Sequence, residues 1–195
     1  MPTGVALRDV REQLFDAADR ILLRSGPEAL TSRAVTDSAG CAKGVLHRHF
    51  TDFDTFLAEY VLDRSTRMDA QVLFLREGAG TATVTGNVTA ALTGLFDSVA
   101  VAIVALVTFR DGLRARLRDT WPAGVPVLTR AAEIIADYLE DERARGRIPA
   151  TADTAVLGAI LIGTTHLMFA DRTGTRPAAD DVRRTVEAII PAAAT

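Results

Sequence analysis

The sequence predicts an all-α protein, with a three-helix unit containing a helix-turn-helix at the N-terminus and a larger helical bundle behind it. Apolar residues recur three and four positions apart over several long segments, which is the period of an amphipathic helix. Glycine and proline separate these segments and mark about nine or ten helices. No stretch alternates apolar and polar residues between turn signals, as a half-buried strand would. Hydrophobic residues make up 48% of the 195 residues, enough for a substantial core.

The N-terminal segments define the predicted unit. A first helix covers 9–25, and Gly26-Pro27 ends it. Two helix-sized pieces follow at 31–38 and 42–49, joined by a tight turn, and Thr31 is placed to cap the first of them. We predict that residues 1–50 form a small unit of their own.

The rest of the chain, 51–195, is predicted to form a larger helical bundle. It opens with a long helix over about 52–76, which Gly78 and Gly80 follow. The remaining predicted helices cover apolar, charged and amphipathic segments in turn: 81–109, 110–121, 127–145, 153–171 and 180–190.

The cysteine count and the apolar segments of the sequence indicate the cellular compartment. The single cysteine, Cys41, cannot form a disulfide within the chain, and no N-terminal apolar segment resembles a signal peptide. The most apolar run, 99–109, is about half the ~20 residues that a membrane span needs. We therefore expect a cytoplasmic protein without membrane contact. We also expect no metal or cofactor, because His166 has no potential ligand three or four residues further along.

The second short piece, 42–49, has the chemistry of a DNA-reading helix. Ala42 and Gly44 are small enough for close approach to a major groove about 12 Å wide. Gly40 provides the positive φ that a tight turn often needs. Lys43 and Arg48 can then face phosphates and base edges. The net charge of −3 excludes a protein that is basic overall but does not exclude such a local basic surface.

This region resembles the DNA-binding region of the tetracycline-repressor-like (TetR) family of bacterial transcriptional regulators. The resemblance covers about residues 10–62, and beyond it only the length and the helical layout agree. It implies that residues 1–50 form the helix-turn-helix DNA-binding domain and 51–195 the ligand-binding and dimerisation domain. It also implies a homodimer that binds a palindromic double-stranded DNA operator as a repressor and leaves it when a small molecule binds. The residues that carry it are Thr31, Arg33, Val35, Asp37, Ala39, Gly40, Lys43, Gly44, Leu46, Arg48, His49 and Phe50. The DNA-contacting set carried over is Thr31, Ser32, Arg33, Ala42, Lys43, Gly44, His47, Arg48 and His49.

Three positions depart from the family pattern. The family usually has tyrosine where this chain has His47, serine or threonine at Ala42, and lysine at Phe53. Tyrosine and lysine at these positions reach phosphates, so two phosphate contacts are expected to be weaker or lost. Since phosphate contacts supply much of the affinity for DNA, weaker or differently organised binding follows.

A lipophilic ligand with at most one or two polar groups is predicted for the C-terminal bundle, because this part of the chain is apolar and has few charges. Arg64, Arg110 and His166 are the ionisable residues placed to orient such a group. The predicted lining residues are Arg64, Met68, Val72, Phe96, Ile103, Phe109, Trp121, His166 and Phe169.

The last two helices are predicted to pair with their copies in a twofold dimer, because one apolar face of each has no obvious cover within one chain. The predicted interface residues are Gly158, Leu161, Ile162, Thr165, Met168, Val182, Val186 and Ile189.

Two other functions remain open at this point. An enzyme would need a nucleophile with its base, a carboxylate pair or a phosphate loop, and none of the familiar motifs occurs, so no enzyme is predicted. The second alternative is a ligand-binding or interaction protein of the same fold that has lost DNA binding. The departures at His47 and Phe53 favour this alternative.

Overall fold

The computed structural model describes residues 4–96, 98–170 and 176–190, and it describes their side chains except at 4–9 and 69–72. All regular structure in these ranges is helical, which confirms the all-α prediction. A short 3-10 helix, Pro27–Ala29, separates the first two α-helices. The α-helices are α1 Gly4–Ser25, α2 Ser32–Ser38, α3 Val45–His49, α4 Phe53–Thr66, α5 Asp69–Gly78, α6 Val84–Phe96, α7 Ala100–Phe109, α8 Asp111–Thr120, α9 Pro126–Ala144, α10 Thr154–Phe169 and α11 Ala179–Ile189.

The described residues thus contain eleven α-helices, slightly more than the number predicted. One reason is that the long helix expected over 52–76 is two helices, α4 and α5, with a turn between them. No proline or glycine marks this break. Ser65 and Thr66 lie at the end of α4, and such hydroxyl side chains compete for backbone hydrogen bonds. Periodicity alone did not reveal the turn.

The chain divides into two units, which are Met1–Asp63 with Ala102–Val125, and Arg64–Val101 with Pro126–Thr195. The first therefore contains the helix-turn-helix segment and also α8. The second contains α5, α6 and α9 to α11. The functional division that the sequence placed at residue 50 stays a prediction.

Four aromatic rings form the centre of the first unit. The Phe50 ring meets Phe56 edge-on at a centroid distance of 5.1 Å, and Phe15 lies 5.6 Å from Phe56. The Tyr60 hydroxyl donates to Asp19 Oδ1 at 2.5 Å, so this buried ring satisfies its polar end. Because Phe15 belongs to α1 and Phe50 directly follows α3, the cluster fixes the short third helix to the first.

The second unit is built on the packing of α10 against α9. At Gly158 an added Cβ would lie 2.6 Å from the Ala132 carbonyl oxygen, so only glycine allows the two backbones to approach this closely. Helix α11 packs on α6, and Val182 and Val186 are buried there. Within the described ranges, no single helix is long and apolar enough to cross a membrane, although α6 and α7 taken together reach that length and composition.

Candidate nucleic-acid interface

The first short helix of the helix-turn-helix begins at a capped residue. Gly26 has φ of 78° and ends α1, and its N–H donates to the Leu22 carbonyl. Thr31 is extended and accepts a hydrogen bond from Ala34 N at 3.1 Å, as the sequence predicted. A threonine cap contributes about 0.5–2 kcal/mol to a helix, which matters for a helix of only seven residues.

The turn between α2 and α3 is a Schellman motif centred on Gly40. Cys41 N donates to Thr36 O at 3.0 Å, and Gly40 N donates to Asp37 O at 3.2 Å. These two bonds satisfy carbonyls that the end of α2 would leave free. Gly40 has φ of 67°, a left-handed conformation that favours glycine. The expected role of Gly40 is therefore confirmed.

Helix α3 presents polar side chains to solvent and apolar ones to the unit. Val45 and Leu46 are buried, whereas Lys43, His47 and Arg48 are exposed. Ala42, Gly44, Thr31 and Arg33 are also exposed, and Ser32 and His49 are partly so. At Gly44 an added Cβ would meet nothing within 4 Å, so the approach to this helix is open. All nine residues predicted to contact DNA thus have some solvent access.

Arg11 of α1 holds the end of α3 in place. Its guanidinium carbon lies 4.5 Å from the Phe50 ring centroid, and Nη1 donates to the His49 carbonyl at 3.5 Å. Arg11 also pairs with Glu59 of α4. One side chain therefore connects α1, α3 and α4, which offsets the low intrinsic stability of a five-residue helix. No pattern in the sequence indicated this role for Arg11.

The start of α4 is fixed to α8 by two ion pairs. Asp54 Oδ1 lies 2.8 Å from Arg110 Nε, and Asp52 pairs with Arg116. Asp52 also caps α4, since Oδ1 accepts from Thr55 N at 2.7 Å. Hydrogen bonds from the Thr55 backbone and hydroxyl, with the charge of Arg116, lower the pKa of the Asp52 carboxyl.

Phe53, which replaces the lysine of the family pattern, has a role in this contact. Its ring stacks on Phe56 at 5.5 Å, and the Arg110 guanidinium carbon lies 5.2 Å from its centroid. A cation over an aromatic face is favourable by about 0.5–1 kcal/mol when partly exposed. The substitution has therefore exchanged a long cation for an aromatic contact with the residue that precedes α8.

The fold and this surface define a helix-turn-helix DNA-binding protein with a second all-α unit. Residues 14–60 match the family of bacterial regulatory proteins called the tetR family. This match confirms the resemblance that the sequence showed in its N-terminal part. A DNA-binding transcriptional regulator is the function that this family supports.

Solved structures extend the similarity over nearly the whole chain. A Mesorhizobium loti protein assigned to the TetR family of regulators has a TM-score of 0.74 at 18% identity, covering 96% of this chain and 97% of its own. Reduced NemR from E. coli has a TM-score of 0.75 at 13% identity, covering 96% and 100%. The multidrug-binding protein EbrR, solved with imidazole, has a TM-score of 0.64 at 17% identity, covering 95% and 97%. At these identities the likeness concerns the fold. No curated protein matches the chain.

None of the cavities that the described residues form brings the predicted ligand residues together. In the second unit, the Phe96 ring lies 5.6 Å from Phe169 and 6.2 Å from His166. Burial lowers the pKa of His166, which favours the neutral imidazole. Met68 lines a cavity of about 10 Å³, which is too small for an organic ligand. The remaining members of the set are dispersed: Ile103 is buried in the first unit, Phe109 is exposed, Arg64 and Trp121 are partly buried, and the side chain of Val72 lies outside the described ones.

The dimer prediction assumed that the chosen residues of α10 and α11 have no cover within one chain, and for most of them this assumption is wrong. Leu161, Ile162 and Thr165 are buried within a single chain. The cover comes from α9, α6 and α11, all of which pack on α10. Gly158, Val182 and Val186 are buried as well, and only Met168 and Ile189 of the set are partly accessible. Because both faces of α10 are apolar, the sequence did not show which face its own chain covers.

One buried charged group was also missed. Glu142 is fully buried, its Oε1 accepts from Gly80 N at 3.0 Å, and its Oε2 lies 3.1 Å from Arg147 Nη1. The neighbouring Tyr138 hydroxyl accepts from Asn87 Nδ2 at 3.0 Å. Burial and the adjacent Glu142 raise the pKa of Tyr138. The segment 137–147 carries many charges, and no signal in the sequence distinguished Glu142 from its neighbours.

Proposed function

We propose that the protein is a homodimeric repressor that binds a palindromic operator and is released by a lipophilic small molecule. The observation that carries the proposal is the presentation of Lys43, His47 and Arg48 to solvent while Val45 and Leu46 anchor α3 from behind. Two copies of α3 would enter successive major grooves about 34–36 Å apart. The ligand releases DNA if it binds more tightly to a dimer whose two α3 helices are spaced differently from the two grooves. A coupling of about 1–3 kcal/mol gives a 5–150-fold change in affinity.

The exposed face of α10 is the proposed dimer contact. Val156, Ile160 and Leu167 lie on the solvent side of this helix, and Leu167 is 76% exposed. Between them, Gly163 leaves open space where a Cβ would stand, which permits close approach of a second helix. An apolar stripe of this kind is typical of self-complementary twofold interfaces. The outer face of α11 carries ion pairs such as Arg183–Glu187 and is suited to the rim.

The effector is proposed to bind in the second unit near Phe96, His166 and Phe169, where aromatic side chains and one neutral imidazole lie together. Since Phe96 and Phe169 are buried, ligand entry requires these side chains to separate. A thermal-shift screen with lipophilic compounds checks this step, with Phe169→Ala as the variant that should weaken a true ligand. If only highly charged, hydrophilic compounds raise the melting temperature, the ligand class is wrong.

Fluorescence anisotropy with DNA from upstream of the gene tests operator binding. The double variant Lys43→Ala/Arg48→Ala should have a lower affinity for DNA. The slope of log binding constant against log salt concentration should become shallower by about 0.9 for each phosphate contact removed. Arg130→Ala/Arg145→Ala removes the same charge from the second unit and is the matched control. Equal affinity for the folded α3 variant and the control would contradict the assignment. Failure of the wild-type chain to bind any upstream fragment at low salt would favour the binding protein that has lost its DNA function.

Light scattering tests the dimer contact separately. Ile160→Glu/Leu167→Glu should convert a dimer into a folded monomer, because two charges would enter an apolar interface. Leu73→Glu is the control, since Leu73 is another exposed leucine, on α5. A wild-type monomer at micromolar concentration would refute the dimer, and a dimer that survives the double change would place the contact elsewhere.

A further inference from the structure

A groove of about 500 Å³ lies within the first unit, between the turn that follows α1 and the end of α7. Its volume is within the range of small-molecule sites, about 300–1,000 Å³. The apolar part of its lining includes Pro27, Leu30, Leu106 and Phe109, and its charged side chains are Glu28 and Arg110. The groove is separate from the aromatic cluster proposed for the effector, which belongs to the second unit.

The ring of Phe109 is the first unusual feature of this groove. It is 86% exposed, whereas Phe15, Phe50 and Phe56 of the same unit are buried in its core. An exposed ring in a concave surface offers both apolar area and a negative π face to a ligand. The fold itself gains little from this side chain.

The charges of the lining are the second feature. The positive charge of Arg110 is compensated by two contacts. Its Nε donates to Asp54 Oδ1 at 2.8 Å, and its guanidinium carbon lies 5.2 Å from the Phe53 ring centroid. Glu28 is exposed, and the structure gives it no ion pair within the described part of the chain. The charge that the groove leaves uncompensated is therefore negative.

We propose that this groove is a binding site for a small amphipathic organic cation. The apolar body of the ligand lies against Pro27, Leu106 and Phe109, and the ammonium group lies near the Glu28 carboxylate and the Phe109 ring. The cation gains a charge pair and a cation–π contact at the same place. The proposal concerns binding alone and holds whether or not the occupant affects DNA, so its failure would leave the proposed repressor function standing.

Three probes that share one apolar body test the charge preference. These are 4-phenylbutyltrimethylammonium, neutral 4-phenylbutanol and anionic 4-phenylbutyrate, each titrated calorimetrically into the full chain without DNA. For a ligand of this size in an open site, we expect the cation to bind with a dissociation constant on the order of 1 mM. It should bind about 3–10-fold more tightly than the alcohol at low salt. Raising the sodium chloride concentration should reduce this preference, because the Glu28 carboxylate is exposed.

Two surface variants identify the site. Phe109→Ala should weaken the cation about 3–5-fold, and Glu28→Gln should bring cation and alcohol to within about twofold of each other. Leu73→Ala and Glu77→Gln make the same chemical changes at exposed positions of α5 in the second unit and should leave binding unchanged. Circular dichroism melting checks that each variant is folded.

Three outcomes would overturn the proposal. The first is tighter binding of 4-phenylbutyrate than of the cation, which would mean that Arg110 sets the charge preference. The second is the absence of saturable binding of the cation up to roughly 10 mM, well above the affinity expected for this contact area. The third is cation binding that neither Phe109→Ala nor Glu28→Gln alters, which would place the bound cation elsewhere on the chain.

Discussion

The carboxylate of Glu142, which is fully buried, lies 3.1 Å from Arg147 Nη1, and the same carboxylate accepts the Gly80 N–H. Arg147 in turn donates to the Thr81 carbonyl at 3.3 Å. Two residues at the end of α9 therefore hold the loop between α5 and α6. Removing one partner of a buried pair leaves the other without compensation, which is usually costly.

We accordingly predict that Glu142→Gln lowers the free energy of unfolding by about 1–3 kcal/mol, a range reduced because Arg147 keeps some solvent access. Urea denaturation measures the change. Glu140→Gln is the control, because its pair with Arg143 is largely exposed; its effect should stay below about 0.5 kcal/mol. Equal effects of the two variants would show that Glu142 contributes no more than a surface charge.

Gly40 and Gly44 should respond differently to the same substitution. Gly40→Ala places a Cβ at φ of 67° and should cost about 1–2 kcal/mol of stability. Gly44 has φ of −77° and open space around it, so Gly44→Ala should be neutral within about 0.5 kcal/mol for the fold. Its added methyl group should instead reduce DNA affinity. Denaturation and anisotropy measured on both variants separate the two effects, and a stability loss in Gly44→Ala would contradict this account.

Two buried threonines provide opposite predictions. Thr165 Oγ1 is buried without a hydrogen-bond partner among the described residues, so Thr165→Val should raise stability by about 0.5–1 kcal/mol. Thr36 Oγ1 donates to the carbonyl oxygens of Ser32 and Arg33 at 3.1 and 3.0 Å. Thr36→Val should therefore lower stability by about 1 kcal/mol. Thermal melts distinguish the two, and a destabilised Thr165→Val would reveal a bond to its hydroxyl.

The lowered pKa of His166 predicts acid sensitivity. The ordinary pKa of histidine is 6.5. Below that pH the imidazole of His166 binds a proton in the unfolded chain more readily than in the folded chain. Stability from this group is therefore constant above pH 6.5 and falls as the pH drops toward the lower pKa of the folded state. Urea unfolding at neutral and mildly acidic pH should show a smaller acid loss in His166→Asn than in the wild type. The same loss in both proteins would assign the acid response to other groups.

Two leucines of α10 should separate its buried and exposed faces. Leu161 is completely buried, so Leu161→Ala should cost about 2–5 kcal/mol through lost burial and a residual cavity. Leu167→Ala should change the stability of the folded monomer by less than about 0.5 kcal/mol. Chemical denaturation at low protein concentration provides the comparison. A large loss for Leu167→Ala in a monomeric sample would mean that this side chain packs within its own chain.

The helix-turn-helix could be predicted in detail because its determinants are local. Thr31 and Gly40 act through the backbone within four or five residues, and chain order alone reveals such contacts. The family match over 14–60 covers this same region. The contacts that hold the unit together were not predicted, because they join positions far apart in the chain, as Arg110 and Asp54 do.

Faces of apolar helices were the least predictable feature. In α10 the apolar residues surround the helix, so hydrophobic periodicity gave no direction to the core. In the structure, the packing of α6, α9 and α11 on α10 shows which face is inside. Leu161 and Ile162 are buried, whereas Ile160 and Leu167 are exposed. The ligand residues stay a prediction. Two of them, Met68 and Phe96, are buried in the interior of the second unit, and hydrophobicity alone does not distinguish a core residue from a pocket residue.

The way α3 is anchored has a consequence for how operator preference can evolve. Val45, Leu46 and the Arg11 contact to Phe50 hold this helix entirely from its inner side. Lys43, His47 and Arg48 contribute to none of those contacts, so exchanging them leaves the scaffold intact. If these three side chains read DNA bases as proposed, base preference can change through a few codons without a compensating change in stability.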